Sequence, residues 1–276
     1  MSLQDRLDAF TADFEGGKLA YRPDPGVLDI MHRATAELIA SGQALNARKA
    51  GDKAPEFTLK DSDNRVVSSA ELLAKGPLVV SFYRGAWCPY CNLELQALQA
   101  AVPQIEARGA RIVAISPQTA SNSRKSQREH HLTFPILSDE KSRVAAAFGL
   151  RFSLPDYLVE LYKGFKNDLP AFNDDPAWVL PMPARYVIGT DGVIAYAEVN
   201  PDYTQRPDPS ELLPVLDKLR ANPVARVTPA LTVFGGASPE AECASSAVVG
   251  SEGLFASKPA SPSIQRVVPK TRRRHP

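Results

Sequence analysis

The amino-acid sequence predicts an α/β fold in which a central mixed sheet is flanked by helices, and three observations carry this prediction. The apolar run at residues 77–83 has the character of a strand buried on both faces. Residues 111–116 form a second strand-like segment, and helical patterns follow both, which is typical of alternating strands and helices. Residues 185–199 contain two further strand-like segments on either side of Thr190-Asp191-Gly192, a strong hairpin signal.

The first 50 residues are predicted to be mostly helical. Apolar side chains recur at helical spacing through residues 27–44, after a proline-rich break at residues 22–26. We therefore expect residues 1–50 to form a helical arm that packs on the domain that follows.

The other elements are expected within residues 51–221, which we assign to one domain. Residues 150–180 mix aromatic residues, proline and aspartate and predict no definite element. In chain order, the expected elements are a hairpin formed by residues 56–60 and 65–68, helices at 92–107 and 121–131, a strand at 134–137, and helices at 140–148 and 210–221.

The C-terminal segment, residues 222–276, differs in composition from the rest of the chain. It is rich in Ala, Ser, Pro and Gly and carries a net charge of +4 from 7 basic and 3 acidic residues. This composition predicts a disordered basic tail. A dispensable solvated tail is a better interpretation than a peptide that binds nucleic acid or an acidic partner, because a lone run of three arginines is a common pattern.

The overall composition excludes several classes of protein. The chain is 44% hydrophobic and 23% charged, as in globular domains, and its net charge of +1 gives no basic field for nucleic acid or an anionic membrane. No apolar run approaches the ~18–20 residues that span a bilayer. Residues 1–14 lack the apolar region of a signal peptide, and three cysteines do not suit a disulfide-stapled secreted fold. We therefore expect a cytoplasmic protein.

The most informative feature is a pair of cysteines, Cys88 and Cys91, where the apolar strand at residues 77–83 gives way to an amphipathic helix. The first turn of a helix offers unpaired N–H groups and a partial positive charge, and both lower the pKa of a thiol placed there. Two cysteines separated by two residues can also close a disulfide, and Pro89 between them restricts the loop. The pair therefore predicts a redox dithiol.

Three other interpretations of the pair are weaker. A zinc site needs about four ligands, and neither Cys243 nor the four histidines have suitable spacing. Polar neighbours and the start of a helix argue against two inert core thiols, and a cytosolic location disfavours a structural disulfide. Sulfur carries out the redox chemistry, so no organic cofactor and no metal are expected.

Several segments around the pair resemble the thioredoxin-fold superfamily and, within it, the peroxiredoxins of the alkyl hydroperoxide reductase and thiol-specific antioxidant group. The segments are residues 51–57 (GDKAPEF), 79–98, 115–117 (ISP), 134–139 (FPILSD) and 182–194. The resemblance implies a thioredoxin-like fold over residues 51–221 that reduces hydrogen peroxide or an alkyl hydroperoxide, with thioredoxin or glutaredoxin as the reductant. The oligomeric state is open, with a homodimer as one possibility, and the composition and charge indicate no nucleic-acid or membrane partner.

The resemblance assigns roles to residues around the pair. Cys91 falls at the peroxidatic position of the pattern Pro-x-x-x-Thr-x-x-Cys, and Glu94 matches a glutamate that often follows it. Cys88 stands in place of the threonine, and Arg84 in place of the proline. Pro183 lies where the distant activating arginine of the family would fall. The peroxide-activating set is therefore incomplete.

These departures resemble thioredoxin-like reductases instead. Trp87 before Cys-Pro-Tyr-Cys matches thioredoxins and glutaredoxins, in which the first cysteine is the exposed nucleophile. Pro183 matches the cis-proline that faces the dithiol in those folds. Arg84 and Arg185 are candidate sources of positive charge near the thiolate, and Tyr90 is a candidate for the surface that binds substrate or reductase.

Three functions consequently remain open. A peroxidase is favoured by the resemblance of the whole domain, with Cys91 oxidised and Cys88 resolving, or with the two roles exchanged. A protein disulfide oxidoreductase is favoured by the local motif, with Cys88 as the attacking thiol. A non-catalytic redox sensor is the third. Cys243 is taken as incidental, and residues 202–206 (DYTQR) resemble the same family without a predicted role.

Overall fold

The computed structural model describes residues 1–19 and 22–221, and within these ranges the chain forms nine α-helices, nine strands and three short 3-10 helices. The helices are α1 (Leu3–Glu15), α2 (Pro25–Ala40), α3 (Ser69–Leu73), α4 (Pro89–Glu106), α5 (Ala120–Glu129), α6 (Arg143–Ala147), α7 (Asp156–Gly164), α8 (Leu169–Asn173) and α9 (Leu212–Ala221). The strands are β1 (Thr58–Asp61), β2 (Val66–Ser68), β3 (Leu78–Phe82), β4 (Arg111–Ser116), β5 (Ile136–Ser138), β6 (Arg151–Ser153), β7 (Val179–Pro181), β8 (Ala184–Ile188) and β9 (Ile194–Val199). The 3-10 helices are Gln43–Asn46, Glu140–Ser142 and Pro209–Glu211.

Seven of these strands form one mixed sheet in the order β2-β1-β5-β4-β3-β8-β9. Strands β3, β4 and β5 are parallel to one another, whereas β8 pairs antiparallel with both β3 and β9. The β1–β2 hairpin extends the sheet antiparallel to β5, and β6 and β7 form a separate two-stranded ribbon. The predicted thioredoxin-like α/β fold with a central mixed sheet flanked by helices is thus confirmed.

Strand β3 shows why the domain has a core on each face of the sheet. All five of its residues are buried, as the continuous apolar run predicts. Because successive side chains of a strand point to opposite faces, Val79 contributes to a cluster with α4 and α9, while Leu78, Val80 and Phe82 contribute to a second cluster with Phe148. Strand β3 therefore lies between the two cores, and the loop after its C-terminal end connects it to the start of α4.

The two N-terminal helices pack on helices that follow them in the chain. Helix α1 begins with a capping box between Ser2 and Asp5 and buries Leu3 and Leu7 in the same cluster as α4. Helix α2 begins at Pro25 after the cap residue Asp24 and packs against α7. Both helices of the arm therefore become part of the surroundings of α4 and α7.

The predicted hairpins and helices are found, and two segments differ from expectation. The helix predicted at residues 140–148 is split into a 3-10 turn and α6, because Lys141 and Ser142 adopt left-handed φ values of 59° and 51°. Residues 150–180, for which no element was predicted, contain β6, α7, α8 and the first two residues of β7. The predicted tail at residues 222–276 and Cys243 lie outside the described residues. Within the described ranges, no helix combines the length and the apolar character needed to cross a bilayer.

Candidate active site

The cysteine pair lies at the N-terminus of α4, directly after the loop that follows β3. Cys88 is the N-cap residue of this helix, although its side chain makes no N-cap hydrogen bond, and Pro89 opens the first turn. The loop depends on Gly85, which has a φ of +145° and where a Cβ atom would lie 2.6 Å from the Trp87 indole nitrogen. The Asn92 side chain donates a hydrogen bond of 2.9 Å to the Ala86 carbonyl and fixes the loop to the helix.

The two thiols are free, buried and electrostatically different. Cys88 is 1% exposed and Cys91 is fully buried. Burial alone would raise the pKa of Cys88, but the hydrogen bond with the Cys91 thiol and the charge of Arg84 outweigh it and lower the pKa to about 6. Burial and the neighbouring Cys88 sulfur together raise the pKa of Cys91 well above its usual value. The structure therefore favours a Cys88 thiolate that accepts a hydrogen bond from a Cys91 thiol.

Of the neighbouring positive charges, Arg84 lowers the pKa of this thiolate the most. Its guanidinium is buried, donates a hydrogen bond to the Tyr162 hydroxyl and lies 4.2 Å from the ring centre of Tyr203 and 4.9 Å from that of Trp87. The Nε atom has no hydrogen-bond partner among the described residues. No carboxylate in the described part of the chain pairs with this guanidinium, which is held among aromatic rings, so its charge is available to the sulfur.

Replacing Arg84 with glutamine is expected to raise the pKa of Cys88 by about 1–3 pH units, because a charge close to the thiolate is lost. The measurement is the rate of Cys88 alkylation by iodoacetamide as a function of pH, which in the wild type should rise through about pH 6. Arg33→Gln is the matched control, since Arg33 stacks on the Tyr157 ring at 4.1 Å and is not among the residues that contact the dithiol. An unchanged profile in Arg84→Gln would show that Arg84 does not stabilise the thiolate.

Glu94, one turn further along α4, binds two buried arginines. Its Oε1 accepts a hydrogen bond of 2.9 Å from Arg185, and its Oε2 accepts one of 2.8 Å from Arg206. Burial would raise the pKa of Glu94, but the charges of Arg206 and Arg185 lower it below its usual value. Arg206 also lowers the pKa of both cysteines, so this ion-pair cluster acts electrostatically on the dithiol.

A cavity of about 320 Å³ opens above Cys88. This volume is at the lower end of the roughly 300–1,000 Å³ that is typical of small-molecule sites. The cavity has a predominantly aromatic lining with few polar groups: Phe10, Phe14, Met31, Arg84, Trp87, Cys88, Pro89, Tyr90, Tyr162, Phe165, Asn167 and Tyr203. Cys88 lines this cavity and Cys91 does not, so a small substrate in it meets the sulfur with the lowered pKa.

Not all of the predicted site residues line the cavity above Cys88. Arg84, Trp87 and Cys88 line it. Pro183 instead lines a neighbouring cavity of about 230 Å³, which shares Met31, Arg84, Tyr162 and Tyr203 with the first. Arg185, a predicted source of positive charge near the thiolate, instead forms an ion pair with Glu94.

Several site residues were missed by the sequence analysis. Tyr162 lies in the segment without predicted elements, and Phe10 lies in the arm. Tyr203 and Arg206 lie in the segment 202–206, whose resemblance was noted without a role. Among the described residues, no group of three or more His, Cys, Asp or Glu side chains is arranged to hold a metal ion.

Comparison with known proteins adds a family match. A model described as the AhpC/TSA family matches residues 50–197. A chloroplastic peroxiredoxin Q of Oryza sativa subsp. japonica is 29% identical over 146 residues, which cover 53% of this chain and 57% of that protein. A putative peroxiredoxin of Mycobacterium tuberculosis (strain CDC 1551 / Oshkosh) is 34% identical over 99 residues, which cover 36% of this chain and 62% of that protein. The chain thus spans about half the length of the curated relatives it matches.

Solved structures of similar proteins were also found. The crystal structure of the peroxidoxin BcpB from Mycobacterium tuberculosis is 24% identical with a TM-score of 0.49, and the match covers 63% of this chain and 97% of that chain.

Proposed function

The chain belongs to the AhpC/TSA family, and from this premise we propose that it is a thiol-dependent peroxidase that reduces hydrogen peroxide and alkyl hydroperoxides through Cys88 and Cys91. The observation that carries the proposal is a buried sulfur with a pKa of about 6 at the base of a cavity that suits a small molecule. A thiolate is the nucleophile that peroxide reduction requires, and a second thiol beside it can complete the cycle.

The proposed first step is attack of the Cys88 thiolate on the terminal oxygen of the hydroperoxide. A sulfur–oxygen bond forms, the oxygen–oxygen bond breaks, and the alkoxide leaves as an alcohol after it takes up a proton. Arg84 is positioned to stabilise the negative charge that moves from sulfur to the leaving oxygen. The sulfur is oxidised to a sulfenic acid and the hydroperoxide is reduced.

The second step forms the disulfide. The Cys91 sulfur attacks the sulfenic sulfur of Cys88, a sulfur–sulfur bond forms and water is released. Part of the rise in the pKa of Cys91 comes from the neighbouring Cys88 sulfur. Once Cys88 is a neutral sulfenic acid, this repulsion disappears while the charges of Arg206 and Arg84 remain, so the pKa of Cys91 falls. The first oxidation thereby activates the second sulfur.

This assignment exchanges the roles that the family pattern gives to the two cysteines. In that pattern Cys91 occupies the peroxidatic position and Cys88 replaces a threonine. The exchange is supported by the burial of Cys91 and by the access of the cavity to Cys88. Cys88 is also the first cysteine of the Cys-Pro-Tyr-Cys motif, the nucleophile in proteins that resemble thioredoxin.

Protein disulfide exchange is the second candidate, favoured by the Cys-Pro-Tyr-Cys motif. A protein disulfide is a poor substrate for the form described here, because Cys88 is 1% exposed beneath the aromatic side chains of the cavity. Thioredoxin or glutaredoxin, the proposed reductants, must likewise gain access to one sulfur of the oxidised pair. Cytoplasmic location and a homodimer remain predictions, and a redox sensor remains a third hypothesis.

A coupled assay tests the proposed function. Peroxide-dependent oxidation of NADPH is measured with thioredoxin and its reductase, and in parallel with glutaredoxin, glutathione and its reductase. We expect turnover with at least one donor system and no reduction of insulin disulfides above the blank. Insulin reduction without peroxide consumption would favour disulfide exchange. A single stoichiometric oxidation without cycling would favour a sensor.

A further inference from the structure

We propose that the N-terminal arm completes the cavity above Cys88 and makes it selective for hydroperoxides that carry an aromatic or compact hydrocarbon group, in preference to hydrogen peroxide. This inference rests on the proposed peroxidase function and deepens it, since it names the substrate class and the residues that select it.

The first argument is the origin of the cavity wall. Phe10 and Phe14 belong to α1, and Met31 belongs to α2. Tyr203 comes from the segment that follows β9. All four lie outside residues 50–197, the part of the chain that matches the family model. One side of the cavity is therefore built from segments that flank the family domain.

The second argument is that the arm is fixed in place. The Thr11 hydroxyl lies 3.0 Å from the Tyr90 hydroxyl, and the Phe10 ring meets the Tyr90 ring edge to face at 5.1 Å. Arg6 donates a hydrogen bond of 3.0 Å to Gln96 of α4. Buried Leu3 and Leu7 anchor the same helix. The aromatic wall is thus formed before a substrate arrives, which reduces the entropic cost of binding.

The third argument is the distribution of polarity within the cavity. Arg84 and the Cys88 sulfur provide the charged part, whereas the arm presents Phe10, Phe14 and Met31. Hydrogen peroxide has no apolar surface to transfer from water to these side chains. A hydroperoxide with a phenyl or compact alkyl group can direct its oxygen–oxygen bond to the sulfur and bury its hydrocarbon part against the arm. Binding energy from the remote group is then available to the reacting end.

The test compares kcat/KM for cumene hydroperoxide and for hydrogen peroxide in the full chain. We expect the wild type to prefer cumene hydroperoxide, and the double variant Phe10→Ala/Phe14→Ala to show an about tenfold lower ratio of kcat/KM for cumene hydroperoxide to kcat/KM for hydrogen peroxide. Asp13→Asn on the same helix is the control, since Asp13 forms an exposed ion pair of 3.2 Å with Lys18. Phe10→Leu is a milder variant that preserves packing and should give a smaller loss in the same direction.

A binding measurement provides a readout that does not depend on turnover. Cumyl alcohol, the reduction product of cumene hydroperoxide, should quench the fluorescence of Trp87, measured in a Trp178→Phe background because the chain has two tryptophans, and should bind more weakly when Phe10→Ala/Phe14→Ala is added. If both peroxides are consumed and the ratio of their kcat/KM values is the same in the wild type and the arm variants, the inference is wrong and the peroxidase function stands. If neither peroxide is consumed, the proposed function fails. Quenching that depends on the arm would then still support an aromatic ligand site.

Discussion

Replacing Cys88 with serine is expected to lower kcat/KM for peroxide by more than about 1,000-fold, because the variant loses the thiolate that attacks the oxygen–oxygen bond. Cys91→Ser is expected to behave differently. Its serine hydroxyl can still donate a hydrogen bond to the Cys88 sulfur, so one oxidation proceeds and the cycle stops at the sulfenic acid. Both variants are best made together with Cys243→Ser, so that Cys88 and Cys91 are compared without a third thiol.

Mass spectrometry after one equivalent of peroxide distinguishes the two cysteines. A 1,3-diketone probe should label Cys88 in Cys91→Ser and leave Cys88→Ser unlabelled. If Cys91 is labelled in Cys88→Ser and is oxidised at the wild-type rate, Cys91 is the peroxidatic cysteine, as the family pattern has it. The same result would mean that peroxide reaches a sulfur with no exposed surface in the described structure.

The local pattern was sufficient to predict the dithiol and the elements that hold it. A continuous apolar run, a Cys-x-x-Cys motif and an amphipathic helix follow one another within residues 77–107, so short-range periodicity and helix-terminus chemistry determine this part of the fold. The hairpin around residues 190–192 was predicted for the same reason, since turn residues act locally.

The surroundings of the dithiol could not be predicted in this way. Arg206 meets Glu94 across 112 positions of the chain, and nothing in the segment around Arg206 indicates that its charge is buried beside a glutamate. Tyr162 lies in a segment with no clear period, yet α7 holds it against Arg84. The arm was expected to pack on the domain, but helical spacing does not say that Phe10 lines the cavity over Cys88. These contacts depend on tertiary packing, which a single sequence does not determine.

Replacing Glu94 with glutamine is expected to lower the free energy of unfolding by about 3–5 kcal/mol, the usual cost of removing one partner from a buried ion pair. Glu94 is 2% exposed and stands between Arg185, which is fully buried, and Arg206, which is 3% exposed. The variant leaves two guanidinium groups without a full counter-charge. Urea denaturation measures the loss. Asp217→Asn is the control, because Asp217 pairs with Arg108 at the surface and such pairs contribute about 0–1 kcal/mol.

The pH dependence of this loss follows from a second acid, the half-buried Glu198. Burial and then the charge of Glu94 raise the pKa of Glu198 to about 7, so in the wild type this group is largely protonated below neutral pH. Without the charge of Glu94, the pKa of Glu198 falls. At pH 8 the ionised Glu198 carboxylate can then partly replace the missing negative charge near Arg185 and Arg206. At low pH Glu198 is protonated to a greater extent and replaces less of that charge.

The destabilisation by Glu94→Gln should therefore be larger at pH 5.5 than at pH 8. The pKa of Glu94 itself is lowered, so its stabilising effect is present above about pH 4.3, the ordinary carboxyl value, and is lost only as the pH falls through its value in the folded protein. It is thus fully present at both pH values compared. If Glu94→Gln lowers the free energy of unfolding by less than about 1 kcal/mol at both pH values, this ion-pair cluster does not stabilise the fold. Because Arg206 is then less neutralised, the same variant should also lower the pKa of Cys88 further, an effect that a merely loosened fold would not produce.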